Sequence, residues 1–237
     1  MQDRRHHPEV AAFAARFFYG ALGAAKTSED VREAVQRILD SGYVFEALCV
    51  EMIHAPLALE LIGHKMKVHT SISFPLGNLT LKKKLMDLEY LMEIGIRDTC
   101  LCLNYGEILD HRYDRIEREV STILEVNQDT IPIAFVIQAT LLSDPEIVDV
   151  CKAIKHGGGS VLKVNTGWGW GTSVEEVALI RRVFGDRFDV HPSGNIRTLA
   201  QVDAFLRLGI NIIHSMSVFE IVDEFIARRE KNGKSAP

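Results

Sequence analysis

The stretch Ser160-Val161-Leu162-Lys163-Val164-Asn165, followed by Thr166-Gly167-Trp168-Gly169-Trp170-Gly171-Thr172-Ser173, decides how this chain is read. The first six residues form a short apolar, β-branched run and predict a strand. The next eight predict a turn that opens into a helix. Lys163 stands inside the strand. A lysine there must reach water or lose its charge, because desolvation disfavours the ammonium and lowers its pKa. An amine that is neutral near pH 7 attacks a carbonyl and forms a Schiff base. The alternative is a lysine that snorkels to an edge or pairs with an acid.

Outward from Lys163, strands and helices alternate along the chain. Apolar periodicity near 3.6 predicts helices at about 8–17, 28–40, 80–94, 107–125, 143–155, 174–184, 198–208 and 217–229. In 107–125 the stripe is Leu109, Tyr113, Ile116, Val120 and Ile123. Strand-like runs lie at 44–50, 66–73, 99–104, 131–138, 160–165, 187–191 and 210–214. Gly42, Gly63, Gly95, Gly159, Gly185 and Gly209 precede strands as helix C-caps do, and Asn127 fills the same place before 131. A strand–helix repeat of roughly 21–32 residues predicts βα units around a parallel sheet. Seven strands are visible, and Phe17-Phe18-Tyr19-Gly20-Ala21-Leu22 supplies an eighth.

The expected fold is therefore an α/β (β/α)8 TIM barrel with an extra N-terminal helix. It forms a single domain over 1–229, with leading helices and a first strand in 1–43, and a polar tail at 230–237. A doubly wound open sheet is the alternative. It lacks its dinucleotide fingerprint, since Gly167, Gly169 and Gly171 alternate with tryptophans instead of forming G-x-G-x-x-G.

Composition excludes several classes. The chain has 237 residues, 47% of them apolar, which suits one large barrel domain. A net charge of −5 with a single basic run, Lys82-Lys83-Lys84, leaves no nucleic-acid footprint, and that run reads as a solvated helix start. No apolar stretch approaches the ~18 residues of a membrane span. The N-terminus lacks the apolar segment of a signal peptide. Cys49, Cys100, Cys102 and Cys151 sit within apolar runs, as reduced thiols of a cytoplasmic protein do.

In a barrel, chemistry collects at the C-terminal ends of strands. Those ends carry Cys49 and Glu51; Ser71 and Ser73; Cys100, Cys102 and Asn104; Gln138; Lys163 and Asn165; His191; and His214 and Ser215. Alternation puts Cys100, Cys102 and Asn104 on one face, and Lys163 with Asn165 on one face.

Three segments together resemble the deoxyribose-phosphate aldolases in register over about 44–229. They are Val68-His69-Thr70-Ser71-Ile72-Ser73-Phe74-Pro75-Leu76-Gly77-Asn78, Leu162-Lys163-Val164-Asn165-Thr166-Gly167 and His191-Pro192-Ser193-Gly194-Asn195-Ile196-Arg197-Thr198. The resemblance implies a (β/α)8 barrel in which Lys163 forms an imine with an aldehyde or ketone. The reaction it implies is reversible aldol chemistry without a metal or other cofactor.

The chain departs from that pattern at several positions. Cys100 stands where the family has a proton-relay aspartate, and His191 where a second lysine lowers the nucleophile's pKa. Ala134 replaces a further lysine, and Gln138 the glutamate closing that strand. Phe18 and Gly20 replace an aspartate and a threonine. In the phosphate cup, a Gly-Gly pair reads Gly194-Asn195, and the last glycine-serine turn reads Ile213-His214-Ser215-Met216-Ser217. The substrate expected is a small carbonyl compound other than plain deoxyribose 5-phosphate.

Proton transfer needs a group that titrates near the operating pH, which points to His191, then Cys100, with Glu51 and His214 behind. The other reading of His191 is a histidine hydrogen-bonded at a strand end. Cys100 and Cys102 alone make a poor metal pair, being two ligands two residues apart on one strand, and read as small barrel-filling side chains. Glu51, Asn104, Gln138, Asn165, Trp168, Gly194, Asn195 and Ser215 are the candidates for substrate contact. Ser173 and Glu176 predict a capping box whose helix amides favour an anion, whereas Trp168 and Trp170 suit a sugar face or an aromatic group, or pack the loop. The activity expected is that of a class I aldolase-like lyase, with a homo-oligomer as a further expectation. A barrel using the imine for dehydration or cyclisation, and one that only binds, stay open.

Overall fold

The structure is a computed structural model that describes residues 7–169 and 171–234. Its eight strands are β1 (Phe17–Gly20), β2 (Ala47–Cys49), β3 (Lys67–Ile72), β4 (Thr99–Cys102), β5 (Ile133–Val136), β6 (Val161–Lys163), β7 (Asp189–His191) and β8 (Ile213–Ser215). All pair in parallel, in the order β7-β6-β5-β4-β3-β2-β1-β8. The two outer strands of that order meet through a single parallel bridge, Ser193 with His214, and the His214 amide donates to the Pro192 carbonyl at 3.1 Å. The chain is a (β/α)8 TIM barrel.

Ten α-helices surround it: α1 (Pro8–Ala14), α2 (Ser28–Ser41), α3 (Ala55–Ile62), α4 (Leu81–Glu93), α5 (Tyr105–Leu109), α6 (Tyr113–Asn127), α7 (Asp144–His156), α8 (Val174–Phe184), α9 (Leu199–Arg207) and α10 (Val218–Lys234). The leading helix α1 packs on α10, where Phe13 stacks on Phe225 with ring centroids 4.1 Å apart. The polar stretch from 230 continues α10 as far as Lys234, and 235–237 lie outside the described residues. No helix of the described residues is long and apolar enough to cross a membrane.

Four features differ from the sequence expectation. Helix α3 carries no visible stripe because seven of its eight residues, APLALELI, are apolar or proline; only burial of Ala55, Ala58 and Ile62 picks out its inner face. The segment 107–125 is two helices, broken where His111 takes a left-handed φ of 56°. The stripe is real only from Ile116 onward, since Leu109 is exposed. Asn127 is the last residue of α6, and the left-handed cap is Gln128; the Asn127 side chain bridges both backbone groups of Ile131. Gly63 caps α3 with an ordinary helical φ of −57°.

Strand alternation sets two layers. Leu48, Leu101, Phe135, Leu162 and Val190 are buried and belong to the main apolar cluster. Their neighbours along each strand fill the barrel, where Phe18, Ala47 and Cys49 form a separate small cluster with Leu22 and Ile212. Burying apolar surface at about 25 cal/mol per Å² makes the outer layer the main source of stability. The barrel interior is left free to hold polar groups.

Candidate active site

Lys163 closes β6 with its side chain 4% exposed, and its Nζ lies 3.6 Å from Cys100 Sγ on β4. Register carries them together: Cys102, Val136, Lys163 and His191 are aligned across β4–β7, and Ser71, Cys100, Ala134 and Val161 across β3–β6. Ser71 Oγ lies 3.0 Å from the Cys100 sulfur. Beyond them stand His69, His191, His214 and Phe18; the Phe18 ring stacks on His214 at 4.3 Å.

The electrostatics differ from the sequence expectation for Lys163. Burial pushes the amine down, but the thiols of Cys100, Cys49 and Cys102 outweigh it and raise its pKa above the usual lysine value. Cys100 responds in the opposite sense. Burial pushes it up, yet the Lys163 ammonium, His69 and Ser71 bring it down to about 6. The opposite shifts favour an ammonium beside a thiolate, so desolvation does not by itself leave a neutral amine.

His191 is held on both sides. Its Nε2 meets Asp189 Oδ2 at 3.1 Å and its Nδ1 lies 3.4 Å from His214 Nε2. Hydrogen bonding to His191 holds the Asp189 carboxyl below its ordinary value. Burial, and then the charges of Lys163, His191 and His69, push His214 well below the ordinary imidazole. Among the described residues, Cys100 Sγ is the hydrogen-bond partner of Lys163 Nζ.

The expected substrate contacts divide. Four are committed to the scaffold. Asn104 caps α5 through Glu107 N. Gln138, at a left-handed φ of 53°, accepts from the amide and hydroxyl of Thr166 and donates to Thr140. Asn165 accepts from Thr140 N and Oγ1 and donates to Thr172 Oγ1 and Glu176 Oε2, tying the loops after β5 and β6 to α8. Ser215 donates to the Ile196 carbonyl at 2.6 Å. Glu51 also serves a turn, accepting from Gly23 N at 3.0 Å. The capping box of Ser173 and Glu176 is present.

The other expected contacts lie in two touching loops. A Cβ on Gly194 would sit 2.3 Å from Gly167 Cα, so these turns touch backbone to backbone and only glycine fits. Asn195 follows at φ 56° with an exposed side chain. Trp168, next to Gly167 on the other loop, is 56% exposed, and Trp170 lies outside the described residues. A cleft of about 460 Å³ lies between α7 and α8, lined by Thr140, Asp144, Glu175 and Arg182, away from Lys163.

Sequence reasoning passed over His69 and Asp98. His69 Nδ1 lies 2.7 Å from Asp98 Oδ1, and that carboxylate, with the Cys100 thiol, raises the imidazole's pKa against burial. The alternation Lys67, His69, Ser71 along β3 already put His69 on the face of Ser71.

No family model matches the chain. The deoxyribose-phosphate aldolase of Thermococcus gammatolerans, however, is 30% identical over 202 residues, covering 83% of this chain and 89% of its own length. The chain belongs to the deoxyribose-phosphate aldolase family. The family's enzyme from Caldanaerobacter subterraneus subsp. tengcongensis is 28% identical over 203 residues, covering 84% of this chain and 87% of its own. Among solved structures, an aldolase designated QR15 matches with a TM-score of 0.84 at 25% identity, over 94% of this chain and 99% of that one. The deoxyribose phosphate aldolase of Aeropyrum pernix, described as a tetramer, matches at 0.79 and 23% identity over 94% of each chain. Membership makes the chain a carbon–carbon lyase of the class I aldolase type.

Proposed function

We propose that Lys163 is the Schiff-base nucleophile and that Cys100 moves its proton. The contact between Lys163 Nζ and Cys100 Sγ carries this reading. The Cys100 thiolate takes a proton from the Lys163 ammonium, and the free amine adds to the substrate carbonyl. The thiol returns that proton to the departing hydroxyl, which leaves as water. The sum is ammonium plus carbonyl giving protonated imine plus water, and the cationic imine then acts as electron sink for cleavage of the neighbouring carbon–carbon bond.

The substrate in this reading is a small aldehyde or ketone bearing an apolar or aromatic portion, and deoxyribose 5-phosphate is a poor one. Exposed apolar side chains on the loops beyond the strand ends support it: Ile53 after β2, Leu76 after β3, Leu141 after β5, Trp168 after β6 and Met216 after β8. Arg197, after β7, leaves room for one anionic group. Four free, buried cysteines support a reducing compartment such as the cytoplasm.

Borohydride trapping tests the reading. Wild type incubated with small aldehydes and reduced should gain the adduct mass on the peptide containing Lys163. Equal labelling of Lys163→Ala would remove the assignment. Turnover of deoxyribose 5-phosphate at ordinary enzyme rates, above that of unphosphorylated aromatic or aliphatic aldehydes, would overturn the substrate reading.

A further inference from the structure

His69 is 1% exposed, and its two ring nitrogens are in unlike settings. Nδ1 is taken by Asp98, whereas Nε2 is buried and has no hydrogen-bond partner among the described residues. A buried polar nitrogen left unpaired is costly, so its retention asks for a ligand. Cys49 Sγ and one ring nitrogen each of His69 and His214 lie within 4.8 Å of one another, and all three residues are buried. They come from β2, β3 and β8, brought together by the register that aligns Cys49 with His69 and His214 with Phe18. We propose that Cys49, His69 and His214 form a metal site inside the barrel that takes one divalent ion of the zinc or cobalt class, with Asp98 as the positioning residue that orients His69.

The donor set selects this class. One thiolate with two imidazoles suits zinc and its neighbours and is a poor match for magnesium or calcium, which require oxygen ligands. A carboxylate behind a ligating histidine fixes the tautomer so that the other nitrogen offers its lone pair, the arrangement Asp98 provides. Tetrahedral donors at ordinary bond lengths of ~2.0–2.3 Å stand roughly 3.4–3.8 Å apart, so a spread of up to 4.8 Å needs only a small contraction. Three protein ligands leave a fourth position for a solvent or substrate oxygen. Charge balances as the ion binds: Cys49 gives up its thiol proton, His69 gives up any proton on Nε2, and both go to solvent. Lys163 and Cys100 supply no ligand, although His69 also bears on Cys100 and the Lys163 charge on Cys49 and His214.

The test is titration of the full-length, untagged, chelator-treated protein with Co²⁺. Wild type should bind a single ion per chain and develop a near-ultraviolet thiolate-to-cobalt band. Cys49→Ala should lose the band, and His69→Gln and His214→Gln should weaken binding at least about 10-fold, each checked for retained helical circular dichroism. Asp98→Asn should weaken binding about 10–100-fold while keeping the band. Lys163→Ala should keep the band and bind at least as tightly as wild type, since the ammonium that repels a cation near Cys49 and His214 is gone, and this keeps the result separate from the imine assignment. Wild-type binding no tighter than that of Cys49→Ala, or a band that survives Cys49→Ala, would overturn the site. Wild type and Cys49→Ala alone decide it should a histidine variant fail to fold.

Discussion

Lys84 and Lys163 are both almost wholly buried, at 1% and 4% exposure, yet the two layers that hold them treat the charge differently. Lys84 projects from α4 between β4 and α6, where its Nζ donates to the Cys102 carbonyl at 2.8 Å and pairs with the Glu119 carboxylate. Its charge has a full carboxylate beside it. Lys163 lies inside the barrel, where among the described residues its Nζ hydrogen-bonds only to a soft thiol, at 3.6 Å. A lysine bound to a carboxylate does structural work. A lysine facing a thiol brought down to about 6 has beside it a group that can carry a proton near neutral pH. Burial alone does not make a lysine a nucleophile; the partner decides.

The largest expected effect is that of Lys163→Ala. It should abolish the borohydride adduct and lower turnover at least about 1,000-fold, with thermal stability unchanged or slightly raised because a buried amine has gone. Retained turnover would erase the distinction between the two lysines. Lys84→Ala should do the reverse, destabilising the fold by about 3–5 kcal/mol in urea unfolding while the protein that remains folded traps aldehyde normally. Adding Glu119→Leu to Lys84→Met should recover most of that loss, since no buried charge is then left unpaired. A double variant as unstable as the single one would show that Lys84 works through something besides its ion pair.

Cys100→Ala sharpens the same contrast. The thiols raise the pKa of Lys163 and burial lowers it, so removing Cys100 should lower that pKa. Borohydride trapping should then persist to lower pH than in wild type, while turnover falls about 100-fold for want of a proton carrier. A trapping profile that moves to higher pH would reverse the assigned sign. The smallest effect concerns the loops. Asn165→Ala removes four hydrogen bonds at the lysine strand's end and should cost about 2 kcal/mol, with a larger rise in KM than fall in kcat. An unchanged KM would mean that the loops do not position substrate.

Lys82-Lys83-Lys84 shows where sequence reading stops. As a run it describes a solvated helix start, and Lys83 fits that description with a side chain half in water. One residue on, the helix turns Lys84 inward, and its acid partner lies 35 residues away on α6. The four polar side chains Asn104, Gln138, Asn165 and Ser215 teach the same lesson. Their place at strand ends was visible, but Asn104 caps the helix it precedes, and Gln138, Asn165 and Ser215 bond to neighbouring loops, which no spacing along one strand reveals.

Period and spacing, being local, were enough to specify alternating strands and helices, the eighth strand at Phe17, the barrel, and Lys163 at the end of β6. They work because an apolar face must be buried and its repeat reports which face that is. The Lys163–Cys100 pair, the Asp98–His69 contact, the gathering of Cys49, His69 and His214, and the closure of the sheet at Ser193 and His214 were decided only by the tertiary structure. Each joins residues from different strands, so each depends on register and on the curvature that closes the sheet. Charge sharing and ligand geometry depend on separations of a few ångströms between side chains that are remote in the chain.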